Sequence, residues 1–272
     1  MPKRVTFIQT PNQIEPFIKA GAEEFIIDHS DYSIRSFHQN KTPFHQWLKE
    51  IKKVSKKIPL WFNCDGLWHE EQINTIDPLI EQLQKNSIHQ IKVQDHGLID
   101  IFKEKTPSTN IMFCQEFGGQ NQLHSKTIAE KCTHQYINHE TPIHTIKQLK
   151  KHIQTKWAIQ VFGPILIQYS YRRFLKNYTK KNQLHHYNAA DKEYPNRWYT
   201  FLDNPHGHFM YLYFEKSLLT YLKELESLKL NQWIIDGRGY PDEYTINALK
   251  LFKKKQNKIK KDTFNNSEID LN

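Results

Sequence analysis

Cysteine is scarce in this chain of 272 residues: only Cys64, Cys114 and Cys132 are present, widely spaced and with no C-x-x-C pair. That argues against a disulfide framework or a paired-thiol zinc site and leaves buried free thiols as the expectation. Long apolar runs are missing as well. Nothing approaches the roughly 20 apolar residues of a membrane span, and Met1-Pro2-Lys3-Arg4-Val5 leads directly into a strand-like segment. A cytoplasmic protein with no membrane partner is expected. Motifs with a recognisable mechanism are also absent: there is no Gly-x-Ser-x-Gly elbow, P-loop or Gly-x-Gly-x-x-Gly stretch. His69-Glu70-Glu71-Gln72-Ile73 opens like a zinc-protease helix, but Ile73 stands where the second histidine is needed. No metal site is therefore expected.

What is present is a rhythm. Short apolar runs at Val5–Ile8, Glu24–Ile27, Leu60–Phe62, Gln90–Val93, Ile111–Phe113, Gln135–Ile137, Ala158–Phe162 and Trp233–Ile235 alternate with amphipathic stretches. Phe44, Trp47, Leu48, Ile51 and Val54 show the three-and-four spacing of a helix packing one face on a sheet. Eight such units, in a chain near the roughly 250 residues of many α/β barrels, predict one (β/α)8 TIM-like barrel domain over 1–252. The rhythm breaks after Phe174, where Trp198–Leu202, a turn at Asp203-Asn204-Pro205-His206-Gly207, and Phe209–Tyr213 read as an inserted β-hairpin at about 194–214. Residues 253–272 are basic, lose apolar periodicity and are expected to form a frayed helix end and disordered tail.

In a parallel barrel the strand ends and the loops after them carry function. That face collects Asp28, Asn63, Asp95, Gln115, Glu116, Asn138, Glu140, Gly163 and Asp236-Gly237-Arg238. Taken singly, each is better explained as a loop cap or turn former; together they suggest a polar cavity. Guanidinium groups are always charged and bind carboxylate or phosphate bidentately, so Arg35, Arg172, Arg173 and Arg238 are candidates for an anion clamp at the mouth. The plainer alternative is internal pairing, of Arg35 and Arg172-Arg173 with Asp31 or Glu116 and of Arg238 with Asp236. Asp95, Glu116 and Asp236 are the candidate acids or bases.

A formal net charge of +9 favours a polyanionic partner such as RNA, although lysine usage and the Lys253–Lys261 stretch inflate it. Tyr169, Tyr171, Phe174 and Tyr178 interleave with Arg172, Arg173, Lys176 and Lys180, a mixture that can stack bases and neutralise phosphates. Core packing along one helical face, through Tyr171, Phe174 and Tyr178, is the competing explanation.

Several segments together resemble the peptidase U32 family. Tyr32-Ser33-Ile34-Arg35-Ser36-Phe37 is similar to its Tyr-Ser-Leu-Arg-Ala-Phe, Asn63 with His69-Glu70-Glu71 to its Val-Asn…His-Asn-Glu, and Gln94-Asp95-His96-Gly97-Leu98-Ile99 to its Ser-Asp-Pro-Gly-Leu-Ile. Ile234-Ile235-Asp236-Gly237-Arg238 resembles its final Ile-Glu-Gly-Arg. Members named for peptidase activity, and relatives in RNA or quinone hydroxylation, typically carry a cysteine set that holds an iron–sulfur cluster in the hydroxylation members. Here Leu166 and Arg173 stand at two of those positions and no cysteine follows Cys132. No cofactor is therefore expected. Tyr194-Pro195 followed by Phe201-Leu202-Asp203-x-x-His206-Gly207 resembles the short, cysteine-poor Gram-positive paralogue of the family. That resemblance implies a partner in tRNA wobble-uridine 5-hydroxylation, working with a longer cluster-bearing paralogue and with tRNA. Arg35, Asn63, Gln115, Arg172, Arg173, His206 and Arg238 would then bind substrate. A collagenase-like peptidase and a non-catalytic barrel scaffold are the alternatives.

Overall fold

Eight apolar runs pair side by side until the last meets the first. In the computed structural model, which describes residues 1–37, 40–55, 58–119, 121–175 and 186–269 (186 and 259–269 by backbone alone), these runs are parallel strands of one closed sheet. They are β1 (Lys3–Ile8), β2 (Glu24–Ile27), β3 (Leu60–Cys64), β4 (Gln90–Val93), β5 (Asn110–Cys114), β6 (His134–Ile137), β7 (Lys156–Gly163) and, later in the chain, β13 (Gln232–Ile235). β13 pairs with both β7 and β1, which closes a (β/α)8 barrel as expected.

Helices α1 (Ile14–Ala20), α2 (Phe44–Ser55), α3 (Ile76–Lys85), α4 (His96–Lys105), α5 (Gln122–Lys131) and α6 (Ile143–His152) connect successive strands. α7 (Leu222–Ser227) precedes β13 and α8 (Asp242–Ile269) follows it. α8 thus continues through most of the 253–272 stretch. Its Gln256 is buried, donates to the Pro2 carbonyl at 3.0 Å and accepts from the Arg4 guanidinium. Among the described residues no helix is long and apolar enough to cross a membrane.

The strand period of two sorts the side chains. On β4, Ile91 and Val93 pack into the large core beneath the helices, while Lys92 between them points into the barrel. The barrel interior has its own apolar plug of Val5, Phe7, Ile26, Trp61, Met112, Ala158 and Ile234. Below it, the buried Glu24 carboxylate accepts from Lys3 Nζ at 2.5 Å, Gln232 Nε2 at 2.5 Å and Trp61 Nε1 at 3.2 Å.

His134 lies edge-on to Trp61 at 4.7 Å, and burial, reinforced by Lys156 and Lys3, pushes its imidazole down to about 3. The unfolded chain would take up this proton near pH 6.5 whereas the folded chain would not. Stability from this group is therefore complete above that pH and lost as pH falls toward 3. His134→Gln is expected to flatten the acid limb of stability against pH by up to about 1.4 kcal/mol per pH unit, measured by urea melts between pH 4 and 6.5.

The expected hairpin is present as β10 (Trp198–Asn204) and β11 (Gly207–Leu212). It is half of a larger element, because β8 (Leu166–Ser170) and β9 (His186–Ala190) complete a four-stranded antiparallel sheet ordered β8-β11-β10-β9. Short β12 (Lys216–Ser217) then returns to pair with β7. Leu166, Leu202, Phe209 and Tyr211 of the small sheet pack on Ile34 and Phe37 of the segment after β2. Asn204 Nδ2 donates to the Ile34 carbonyl at 2.8 Å, and His206 Nε2 donates to the Ser30 carbonyl at 2.6 Å. These contacts hold the small sheet against the C-terminal end of the barrel.

Candidate functional site

Where the barrel strands end, the inward positions turn from apolar to charged. Gln9 follows β1, Asp28 follows β2, Asn63 lies on β3 with Asp65 after it, Lys92 lies on β4, and Glu116 follows β5. Asp236 and Arg238 follow β13, and Arg35 is supplied by the segment after β2. All of these side chains are buried.

They form one network. Asp28 Oδ1 accepts from Asn63 Nδ2 at 2.6 Å and from Arg238 Nη1 at 3.3 Å, and Asp28 Oδ2 accepts from Gln9 Nε2 at 3.1 Å. Lys92 Nζ donates to Asn63 Oδ1 and Asp65 Oδ2, both at 3.2 Å. Asp65 also accepts the Ile34 backbone N–H at 3.0 Å and faces Arg35 Nε at 3.7 Å. Arg35 reaches Glu116 at 2.8 Å, and Glu116 accepts the Cys114 thiol at 3.3 Å. Asp236 grips Arg238 through both carboxylate oxygens, at 3.0 and 2.7 Å, and the guanidinium lies 3.6 Å over the Phe7 ring.

Burial would raise the Asp65 carboxyl, but Lys92 and Arg35 outweigh it and hold the group well below the usual carboxylate range. Asp236 is likewise lowered against the effect of burial, by Arg238 and then Arg35. Glu116 and Asp65 reverse the desolvation of Arg35 and raise it well above its ordinary value. The Cys114 thiol is pushed up to about 12 by burial and stays protonated at neutral pH. Lys216 differs: burial pushes its ammonium down to about 8, opposed by Glu116, so it titrates near physiological pH. The arrangement is a prepaid electrostatic layer in which each carboxylate already has a donor, rather than a poised nucleophile and base.

Of the sequence candidates, Asp28, Arg35, Asn63, Glu116, Asp236 and Arg238 meet in this network. The open choices for the arginines resolve as internal pairs, Arg35 with Glu116 and Arg238 with Asp236. The others lie elsewhere. Asp95 caps α4, accepting from Gly97 N at 2.7 Å, and also accepts from Trp68 N at 3.2 Å. Gln115 sits in the β5–α5 loop beside Gly118 and Gly119. His206 ties the hairpin turn to Ser30.

Arg172 and Arg173 follow β8 of the small sheet rather than a barrel strand and are exposed, with Arg173 Nη2 donating to the Pro205 carbonyl at 3.2 Å. The expectation that they line the barrel mouth is corrected by that intervening strand. Lys176, Tyr178 and Lys180 lie outside the described residues. Asp65, Lys92 and Lys216 escaped the sequence reading. A lysine between two apolar residues in a strand buried on both faces was the available signal for Lys92.

Among the described residues no group of three His, Cys, Asp or Glu side chains is placed to hold a metal ion. The iron–sulfur cluster of cysteine-bearing relatives does not fit these residues. Leu166 is packed in the small-sheet core, Arg173 is exposed, and three cysteines cannot supply four thiolates.

Solved structures share the architecture at low identity. A protein of Aquifex aeolicus aligns with a TM-score of 0.57 at 10% identity, covering 93% of this chain and 92% of its own. Tryptophan synthase from M. tuberculosis aligns at 0.53 and 4% identity over 93% and 92%. The U32 peptidase Mk0906 aligns at 0.51 and 6% identity, over 61% of this chain and 70% of that one. No curated protein matches the chain by sequence. The sequence model of Peptidase family U32 matches residues 9–272, nearly end to end, and the chain belongs to that family.

Proposed function

We propose that this chain is a binding subunit in tRNA wobble-uridine 5-hydroxylation, acting beside a longer, cluster-bearing U32 paralogue. The observation that carries this reading is exposed rings beside exposed cations, directly after β8 and again where β10 begins. Tyr171 and Phe174 are 63% and 43% exposed and flank Arg172 and Arg173. At the other end of the small sheet, where Trp198 pairs with Ala190, Arg197 stacks 4.2 Å over exposed Tyr194, and Trp198 is 41% exposed. Rings that stack on any base, beside arginines that pair with phosphates, suit single-stranded RNA. The net charge of +9 acts in the same direction. The engaged mouth carboxylates and protonated thiols favour binding over independent peptide hydrolysis, and the missing cysteines assign redox chemistry to the partner.

The RNA reading is tested by titrating tRNA over a range of salt. The Arg172→Ala/Arg173→Ala double variant is expected to weaken binding and to reduce the slope of log K against log salt by about 2. Salt-insensitive binding, or an unchanged slope, would count against it. The pathway is tested by mass spectrometry of tRNA nucleosides from cells lacking this gene but retaining the paralogue. Loss of 5-hydroxyuridine derivatives is expected, and an undiminished level would reject the role.

A further inference from the structure

A cleft of about 550 Å³ opens between the small sheet and the loop from β13 to α8. Phe37, Tyr213, Phe214 and Tyr240 contribute rings to its lining. Tyr213 and Phe214 are 44% and 62% exposed, a large aromatic surface left facing solvent at the rim. Tyr211 also lines the cleft, and its environment is different. The residue is 1% exposed, its ring lies 5.2 Å from that of Phe37, and its Oη has no hydrogen-bond partner among the described residues.

An unpaired buried hydroxyl is costly unless a partner arrives. Burial raises the Tyr211 phenol, although Arg35 and Arg238 oppose this, so the group is an O–H donor at neutral pH. Arg238 lines the same cleft from the barrel side, and its positive field favours an acceptor oxygen there. On the opposite chemistry, the Glu215 carboxylate accepts the Tyr244 hydroxyl and, as an acceptor-only group, also suits an N–H.

We propose that this cleft binds a planar ring bearing a carbonyl oxygen, with the ring among the aromatic side chains and the oxygen accepting from Tyr211 Oη. That chemistry has two sources: a base unstacked from bound RNA, or a free aromatic carbonyl compound. The cleft is separate from the Arg172–Arg173 strip, so the two sites succeed or fail independently.

The test is isothermal titration of the full chain with uridine, benzamide and 5,6-dihydrouridine, the last keeping uridine's carbonyls but losing its aromatic ring. Saturable binding of uridine, with dihydrouridine weaker by about 5-fold or more, upholds the proposal with a base as source. Binding of benzamide alone upholds it with a free compound as source. Tyr211→Phe keeps the ring and removes the hydroxyl, and is expected to weaken the bound probe about 3- to 10-fold. The variant should melt no lower than the parent protein, because the group removed has no partner. No binding of uridine or benzamide, equal affinity of Tyr211→Phe, or a lower melting temperature in that variant would each overturn the proposal. Absence of both uridine and benzamide binding with salt-sensitive tRNA binding intact would reject the cleft alone; saturable probe binding without salt-sensitive tRNA binding would reject the RNA reading alone.

Discussion

Asp65→Ala is expected to cost the fold about 3–5 kcal/mol, read from urea or guanidinium unfolding at neutral pH. Asp65 is fully buried and holds Lys92 at 3.2 Å and Arg35 at 3.7 Å. Without it, the Lys92 ammonium retains Asn63 Oδ1 and a distant Phe7 ring at 5.8 Å, inside a barrel that excludes water. Arg35 keeps Glu116, so Lys92 loses the most.

The sign of the pH dependence follows from the lowered Asp65 carboxyl. Its contribution is present above the unfolded value of about 4 and fades as pH falls below it, so the gap between variant and parent should close in acid. A second substitution separates a broken pair from a general packing defect. Removing both charges, as Asp65→Leu with Lys92→Met, should recover much of the loss, because a buried pair replaced by apolar groups is often nearly neutral. A single variant costing under about 1 kcal/mol, the scale of an exposed pair, would show that water reaches the network.

Gly163→Ala should be severely damaging for the addition of a single methyl group, at about 2–4 kcal/mol from backbone strain and overpacking together. Gly163 ends β7 with φ +125°, and a Cβ there would lie 2.2 Å from the Asp236 carbonyl oxygen and 2.8 Å from its Cβ. Neither neighbour can yield cheaply. Asp236 is tied by its own N–H to the Phe162 carbonyl at 2.9 Å, and its carboxylate fixes Arg238. A forced shift would therefore reach the mouth network as well as the β7–β13 seam. Gly118→Ala is the control: φ is +73° but the nearest neighbour of a Cβ is the Gln115 side chain at 3.6 Å. Only left-handed strain applies there, about 1–2 kcal/mol. Equal losses in the two variants, measured by thermal and denaturant melts, would remove close approach to Asp236 as the cause.

Local pattern was enough to place all eight barrel strands, because a parallel strand covered on both faces must be an apolar run and the helix between two such runs must show one apolar stripe. The Asn204-Pro205-His206-Gly207 turn was legible for a similar local reason, since Gly207 at φ +139° is suited to glycine. β8 was not legible. Its Gln168, Tyr169 and Ser170 lack a strand's apolar alternation and run into the arginines, and only pairing with the distant β11 makes the segment an antiparallel strand.

The functional residues divide along the same line. Position at a strand end, which sequence shows, selected Asp28, Asn63, Glu116, Asp236 and Arg238, and guanidinium chemistry selected Arg35. Their partners were set by closure of the barrel, which brings Asp65, 27 residues before Lys92, to within 3.2 Å of it. By itself the sequence determined the barrel, the inserted hairpin, the family and the lack of a four-cysteine set, because each depends on residue type and local spacing. Only the tertiary structure decided that the mouth charges neutralise one another, that Arg172 and Arg173 face outward, and that Tyr211 buries an unpaired hydroxyl beside a cleft. Those outcomes depend on distances between residues far apart in the chain, and on which of them the folded protein shields from water.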